Sequence, residues 1–262
     1  MLVKFDVICK DNGLSYWLHG GTLLGSVRDK NFIEWDDDAD VVMSRESFDK
    51  IRSLREELSV EGYHVEFPED SNSFFDFIPG FYCDKYLVDF KFLDLKGKVQ
   101  YFRTHPKIDL FVLDECKNDI SHKIARMRLM SKYMLARGHR QNKIKLDLRV
   151  NAVLRPFLSF IAKTYEVIGS HKDYQKILRD YDRISRKNDG RGCTSVYLSN
   201  DQPWFMYRIY SKEVFSGCLD SEIENHLFPI PEGFEDILVE SYGDYSVRPP
   251  ENQRRPSHYL LK

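Results

Sequence analysis

The sequence predicts an α/β (α+β) fold: a mixed-sheet core over about residues 1–115, then a helical and C-terminal part over about 116–262, read together as a single domain. Three observations predict it. Short apolar stretches alternate with stretches of helical period up to about residue 115, the mark of a mixed layer fold. From about Asn118 to Arg186 the period turns helical throughout. Between them, Gly20-Gly21 is followed closely by the acidic run Asp36-Asp37-Asp38-Ala39-Asp40, which leads straight into the apolar Val41-Val42-Met43.

The elements follow in order. Residues 1–12 read as an amphipathic helix stopped by Asn12-Gly13, and the start reads as clipped because Met1 opens directly into it. Leu14–His19 reads as a strand, Thr22–Asp29 as a helix and Ala39–Met43 as a second strand. Ser44 is placed to cap a helix running through Leu58, with Ser47, Phe48, Ile51 and Leu54 at helical spacing. Val60–Phe67 reads as a strand and 68–84 as an aromatic-rich loop. Lys85–Leu95 and Val99–Thr104 form a hairpin around Lys96-Gly97, and Lys107–Leu113 is another strand. In the helical part, Met127, Met130, Met134 and Leu135 share one stripe; Leu154, Phe157, Leu158, Ile161, Tyr165 and Ile168 share another. The second stripe, flanked by Arg149, Arg155 and Lys163, could touch a membrane surface; packing on its own domain is the preferred reading. Residues 187–200 read as a loop entering a strand at Ser195–Leu198, and the tail from Pro229 holds a short helix.

Composition limits the function. With 42% hydrophobic and 14% aromatic residues, the 262-residue chain can build a sizeable core. A net charge of −2 gives no global basic field, so nucleic acid is not an expected partner. Five scattered cysteines form no C-x-x-C pair, which argues against a zinc knuckle or a disulfide framework and for reduced thiols in the cytoplasm. No signal peptide is expected, and no apolar stretch reaches the length of a bilayer span.

The acidic run carries the chemistry. Asp38 and Asp40 stand at i and i+2, so on a strand they face the same way and can converge on one hard cation. A calcium loop fails, since its sixth position would be Val41 and its twelfth Ser47. Four carboxylates within five residues repel one another unless a cation is near. A helix opening after Gly20-Gly21 offers unpaired backbone amides to an anion, and Thr22 adds a hydroxyl. A glycine pair followed by D-x-D on the next strand is the arrangement of nucleotidyltransferase-like folds. Arg28 and Lys30 could reach a diphosphate or stand as surface charges. A third carboxylate is needed, and alternation offers both Asp89 and Asp109 without choosing between them.

At this point the chain resembles the LicD family, which includes fukutin and fukutin-related protein. The resemblance rests on Gly20-Gly21-Thr22-Leu23-Leu24-Gly25-Ser26-Val27-Arg28 and on Phe32-Ile33, Trp35-Asp36-Asp37-Asp38 and Asp40. Ile108-Asp109-Leu110-Phe111, Tyr242-Gly243-Asp244-Tyr245, Pro249-Pro250, Arg255 and His258 extend it. The resemblance implies a phosphotransferase that uses Mg2+ (or Mn2+) and a CDP-linked alcohol such as CDP-choline. It would move a phospho-alcohol to a glycan hydroxyl and release CMP. It makes Asp109 the third carboxylate beside Asp38 and Asp40, with Gly20, Gly21, Thr22 and Arg28 on the donor and Arg255 and His258 closing over phosphate. Two positions depart from the family, Glu34 and Val112, where proline is common; neither is an expected ligand, though donor preference could shift.

A quaternary ammonium on the donor would bind aromatic faces, for which Trp17, Trp35, Phe74, Phe75, Phe77, Phe81, Tyr82 and Trp204 are available. Three other readings compete. A D-x-D glycosyltransferase would release a nucleoside diphosphate, and a true nucleotidyltransferase would release pyrophosphate. A non-catalytic glycan-binding or regulatory relative would release nothing.

Overall fold

The computed structural model describes residues 1–59, 62–70, 76–93, 99–140, 155–254 and 259–260. The chain opens with α1 (Leu2–Asp11), β1 (Tyr16–Leu18), α2 (Gly20–Arg28), β2 (Ala39–Ser44) and α3 (Arg45–Leu54). There follow β3 (Tyr63–Glu66), β4 (Gly80–Cys83), β5 (Val88–Leu93), β6 (Val99–Thr104) and the long β7 (Lys107–Cys116). Three helices come next: α4 (Ile120–His139), α5 (Arg155–Ser170) and α6 (Tyr174–Ser185). The chain then returns to strands with β8 (Ser195–Leu198), β9 (Tyr210–Ser211), β10 (Cys218–Ile223) and β11 (His226–Pro231). It finishes with α7 (Phe234–Tyr242) and β12 (Tyr259–Leu260). No helix among the described residues is long and apolar enough to cross a membrane.

The principal sheet runs β1-β2-β7-β4-β3, with β8 on β7 and β9 on β8. Only β2 and β7 pair in parallel; the other pairs are antiparallel. A parallel pair needs a long crossover, and everything from α3 to β6 supplies it. β7 is shared along its length. Its first residues pair with β4, and its last four pair with β8. Val41, Met43, Ile108 and Leu110 are fully buried, so the two central strands read as apolar runs because both faces of the sheet are covered. One core joins α1, the sheet, the β10–β11 hairpin and α7; a second joins α4 and α6 through Leu129, Tyr133, Ile177 and Tyr181.

Local chemistry fixes the helix starts. The Ser44 side chain accepts from the Ser47 amide at α3, Asp119 from Ser121 at α4 and Asp173 from Gln175 at α6. Several expectations need correction. β4 lies within the stretch read as a loop, and its four residues are flanked by Pro79 and Asp84 rather than by an alternating pattern. α3 stops at Leu54 rather than Leu58, and the strand expected from Val60 starts at Tyr63. α2 begins at Gly20, so the glycine pair lies inside the first turn instead of before it. The β10–β11 hairpin was not expected; it turns at Glu224-Asn225, both with positive φ (49° and 66°), a turn the sequence makes without glycine. On α4 the buried stripe is Ala125, Leu129, Tyr133 and Ala136, while Met127 faces out. The Lys96-Gly97 turn lies outside the described residues.

Candidate active site

The parallel pairing of β2 and β7 builds the site. Its register sets Asp40 beside Asp109, and β4 places Gly80 on the other side of Asp109. Side chains two residues apart on a strand share a face, so Asp38, just before β2, joins them. Carboxylate oxygens of Asp38, Asp40 and Asp109 lie within 4.8 Å of one another. Asp36, Asp37 and Asp38 form a second such group immediately upstream. Asp89 takes no part: it sits on β5 in a separate three-stranded sheet and pairs with Arg103 at 3.1 Å.

The glycine pair is needed where these carboxylates meet α2. A side chain at Gly20 would lie 2.3 Å from Asp40 Oδ2, and one at Gly21 would lie 1.8 Å from Asp36 Oδ2. Gly20 also has φ +55°, a conformation that side chains disfavour. The backbone at the start of α2 is therefore bare because carboxylates crowd it. Two further bonds lock the pieces together. The Asp40 amide donates to Thr22 Oγ1 at 2.9 Å, and the His19 amide donates to the Asp40 carbonyl at 3.0 Å.

The electrostatics are those of a site short of positive charge. Burial, then the charges of Asp38, Asp109 and Asp36, hold Asp40 well above the usual carboxylate range; Lys107 offsets this only in part. Burial and the neighbouring aspartates push Asp36 up to about 7. Burial pushes Asp109 up to about 6 against the pull of Lys107, whose ammonium lies directly on it, with Asp76 and Asp38 adding to the rise. Three converging carboxylates are hard oxygen ligands, and with Asp40 and Asp109 raised by burial and neighbouring negative charge they fit a divalent cation of the magnesium or manganese kind.

The remaining predicted residues fall in different places. Arg28 is engaged by Asp29, with Nη2 to Oδ2 at 2.9 Å, and Arg248 of the tail holds the same carboxylate at 2.7 Å. Asp29 thus ties the tail's Arg248 to the end of α2, a partner the sequence did not indicate. Arg255 and His258 lie outside the described residues, as do Phe74 and Phe75. Trp35 lies under the Arg254 guanidinium at 5.2 Å, and Trp17 donates its indole N–H to the Gly217 carbonyl.

Sequence reasoning missed several groups at the rim. Lys107 stands two residues before Asp109 on the same strand, so period-two alternation alone would have placed it on the same face. His19 is buried against Phe111 and kept neutral, its pKa lowered to about 4 by burial and then by Arg208. Arg208 also faces Asp201, a carboxyl that burial pushes up to about 7. Tyr242, already part of the resemblance, faces the same cluster: desolvation, then the charges of Asp40 and Asp36, raises its phenol. Arg208 and Asp201 arrive from a loop more than ninety residues beyond Asp109 in the chain, and no local pattern signals that return.

Comparison with known proteins agrees with this geometry. Residues 13–127 match the LicD/FKTN/FKRP nucleotidyltransferase domain, a span that includes Gly20, Gly21, Asp38, Asp40 and Asp109. Over nearly the whole chain, similarity extends to the lipopolysaccharide cholinephosphotransferase LicD of Haemophilus influenzae. The identity is 27% over 261 residues, covering 98% of this chain and 92% of that protein.

Proposed function

We propose that this protein is a metal-dependent phosphotransferase that moves a phospho-alcohol from a CDP-linked donor to a glycan hydroxyl and releases CMP. Phosphocholine is the first candidate, because the relative similar over 98% of this chain is named a lipopolysaccharide cholinephosphotransferase. The observation that carries the reading is the convergence of Asp38, Asp40 and Asp109 beside the first turn of α2. Asp38, Asp40 and Asp109 would hold Mg2+ or Mn2+. When bound, the ion would supply positive charge against the donor diphosphate and the departing CMP.

The chain's own residues do the rest. The amides at the start of α2, at Gly21 and Thr22, steady donor phosphate. Thr22 holds the Asp40 backbone in place through its hydroxyl. Lys107 holds Asp109. The acceptor oxygen attacks the phosphorus next to the alcohol, the bond from that phosphorus to the CMP oxygen breaks, and Asp109 either completes the cation's shell, the acceptor proton then passing to water, or takes that proton itself. The cytoplasm, at the inner face of a membrane carrying the acceptor, is the proposed setting.

The test is product analysis. Incubation with CDP-choline, magnesium and an acceptor oligosaccharide should release CMP in step with phosphocholine on the glycan. Pyrophosphate would mean nucleotidyl transfer, and a nucleoside diphosphate released from a nucleotide sugar would mean glycosyl transfer; either result would overturn the reading.

A further inference from the structure

The helical part carries a charge and an apolar surface that the transfer reaction does not use. Residues 117–187 hold eighteen Lys or Arg against six Asp or Glu, a net of +12 on a chain whose total is −2. The rest of the molecule therefore carries −14, the difference between those two figures, so the chain is strongly polarised. α5 packs on α4 at backbone distance through glycines: a side chain at Gly138 would meet the Tyr165 carbonyl at 2.5 Å, and one at Gly169 the Leu135 carbonyl at 2.4 Å. Ala162 and Gly169 are buried on the α4 side of α5, with Leu158, Ile161 and Tyr165 half-buried beside them. Phe157 and Phe160 are 62% and 71% exposed, and Val167 and Ile168 continue the same helical stripe in solvent. On α4, Ile120, Ile124 and Met127 repeat at four and three residues, and Met127 is 73% exposed. Beside Ile124 opens a groove of about 260 Å³ lined by Ser121, Arg128, Arg183, Ile184 and Lys187.

Large exposed apolar side chains on a part of the chain with net positive charge match an anionic bilayer: the apolar groups enter the acyl boundary, and the cations meet the headgroups. We infer that the exposed faces of α4 and α5 are a docking surface for an anionic lipid membrane, with the groove between α4 and the end of α6 taking a phosphate headgroup at Arg128 and Lys187, Arg183 beside them being held by Asp180 at 2.8 Å. Charge complementarity selects the membrane over a second copy of the chain, whose identical +12 region would repel it. The exposed aliphatic Ile120, Ile124, Met127, Val167 and Ile168 select the membrane over nucleic acid, because they offer no ring for a base to stack on. The inference stands apart from the identity of the donor, so failure of either leaves the other intact.

Vesicle sedimentation with the full chain tests it. The protein should pellet with phosphatidylcholine vesicles that contain phosphatidylglycerol and stay in solution with pure phosphatidylcholine. Binding should fall steeply with added salt. Arg128→Ala should weaken partition about fivefold, the effect of one cation near a charged surface. Phe160→Ser should weaken it about tenfold or more. Because both side chains are on the surface, both variants should melt like the parent, and a melting curve confirms that the loss is not one of folding. Absence of pelleting with anionic vesicles overturns the inference. So does equal pelleting with both vesicle types, or a Phe160→Ser variant that partitions like the parent. A dimer in solution that Phe160→Ser dissociates would assign the face to a second copy and overturn it as well.

Discussion

The two ends of β7 treat buried carboxylates in opposite ways. Near its start, Asp109 joins Asp38 and Asp40, and burial and mutual repulsion raise Asp40 and Asp109 together. Near its end, Asp114 is 0% exposed, yet Arg45 grips it through Nε at 2.7 Å and through Nη2. Arg45 lies 3.5 Å from Asp182 and 3.7 Å from Asp49, and Arg186 bonds both of those, joining α3 and β7 to α6. A buried charge is retained only where something neutralises it. At one end the neutralising group is protein, so the site is complete and structural. At the other end Lys107 offsets the charge only in part, and Asp40 and Asp109 stay raised. The same chemistry, carboxylates on one sheet, yields a joint at one end and the proposed cation site at the other.

The sharpest way to break this comparison is to remove one charge from each end. Asp40→Asn should abolish turnover. Loss of a group that merely supports a metal ligand costs about 10–100-fold, and loss of the ligand should exceed that, while the melting temperature holds or rises because repulsion is relieved. Fully retained turnover in a steady-state assay would remove the acidic cluster from catalysis. Arg45→Met should do the reverse. It leaves Asp114 buried without its main partner and should destabilise the fold by about 3–5 kcal/mol, read by urea denaturation, with donor affinity in the surviving folded protein unchanged.

A pH series sharpens the contrast further. Carboxylates whose folded pKa lies above the unfolded value bind more protons in the native state, so stability is present at low pH and falls as pH rises. For the cluster the window runs from the ordinary carboxylate range to about 6 at Asp109 and about 7 at Asp36. Melting temperature in EDTA should therefore decline across that window, and magnesium should flatten the decline. An identical slope with and without the ion would contradict the account. The smallest expected effect is at the glycine pair. Gly20→Ala should cost about 1–2 kcal/mol for its left-handed backbone, with a loss of activity larger than that destabilisation explains, since the new methyl displaces Asp40.

Much of the reaction centre was legible because it is local. Gly20-Gly21, Asp38 and Asp40 lie within twenty-one residues, and alternation on a strand states which of them share a face. The third carboxylate was not legible from pattern. Asp89 and Asp109 sit in equally apolar strands, and what separates them is sheet membership, a property of long-range pairing that period two does not encode. β4 went unread for the same reason: its four residues become a strand only because β7 and β3 pair with them. Arg45–Asp114 spans 69 residues and Arg186–Asp49 spans 137, so the structural end of the sheet was invisible in the sequence. The stripe on α5 was legible as amphipathic, and packing on its own domain, the preferred reading, holds for Leu158, Ile161 and Tyr165, which are half-buried on the α4 side; the outward turn of Phe157 and of Phe160, which lies off that stripe, was not legible.

The central claim is that Asp38, Asp40 and Asp109 hold a divalent cation that donor binding requires. Calorimetric titration of CDP-choline into the protein tests it most directly, run with magnesium, with EDTA, and with the Asp40→Asn variant in magnesium. The account predicts saturable binding in the first case and none in the other two. Equal binding in all three would show that the donor needs neither the cation nor Asp40, and would contradict it.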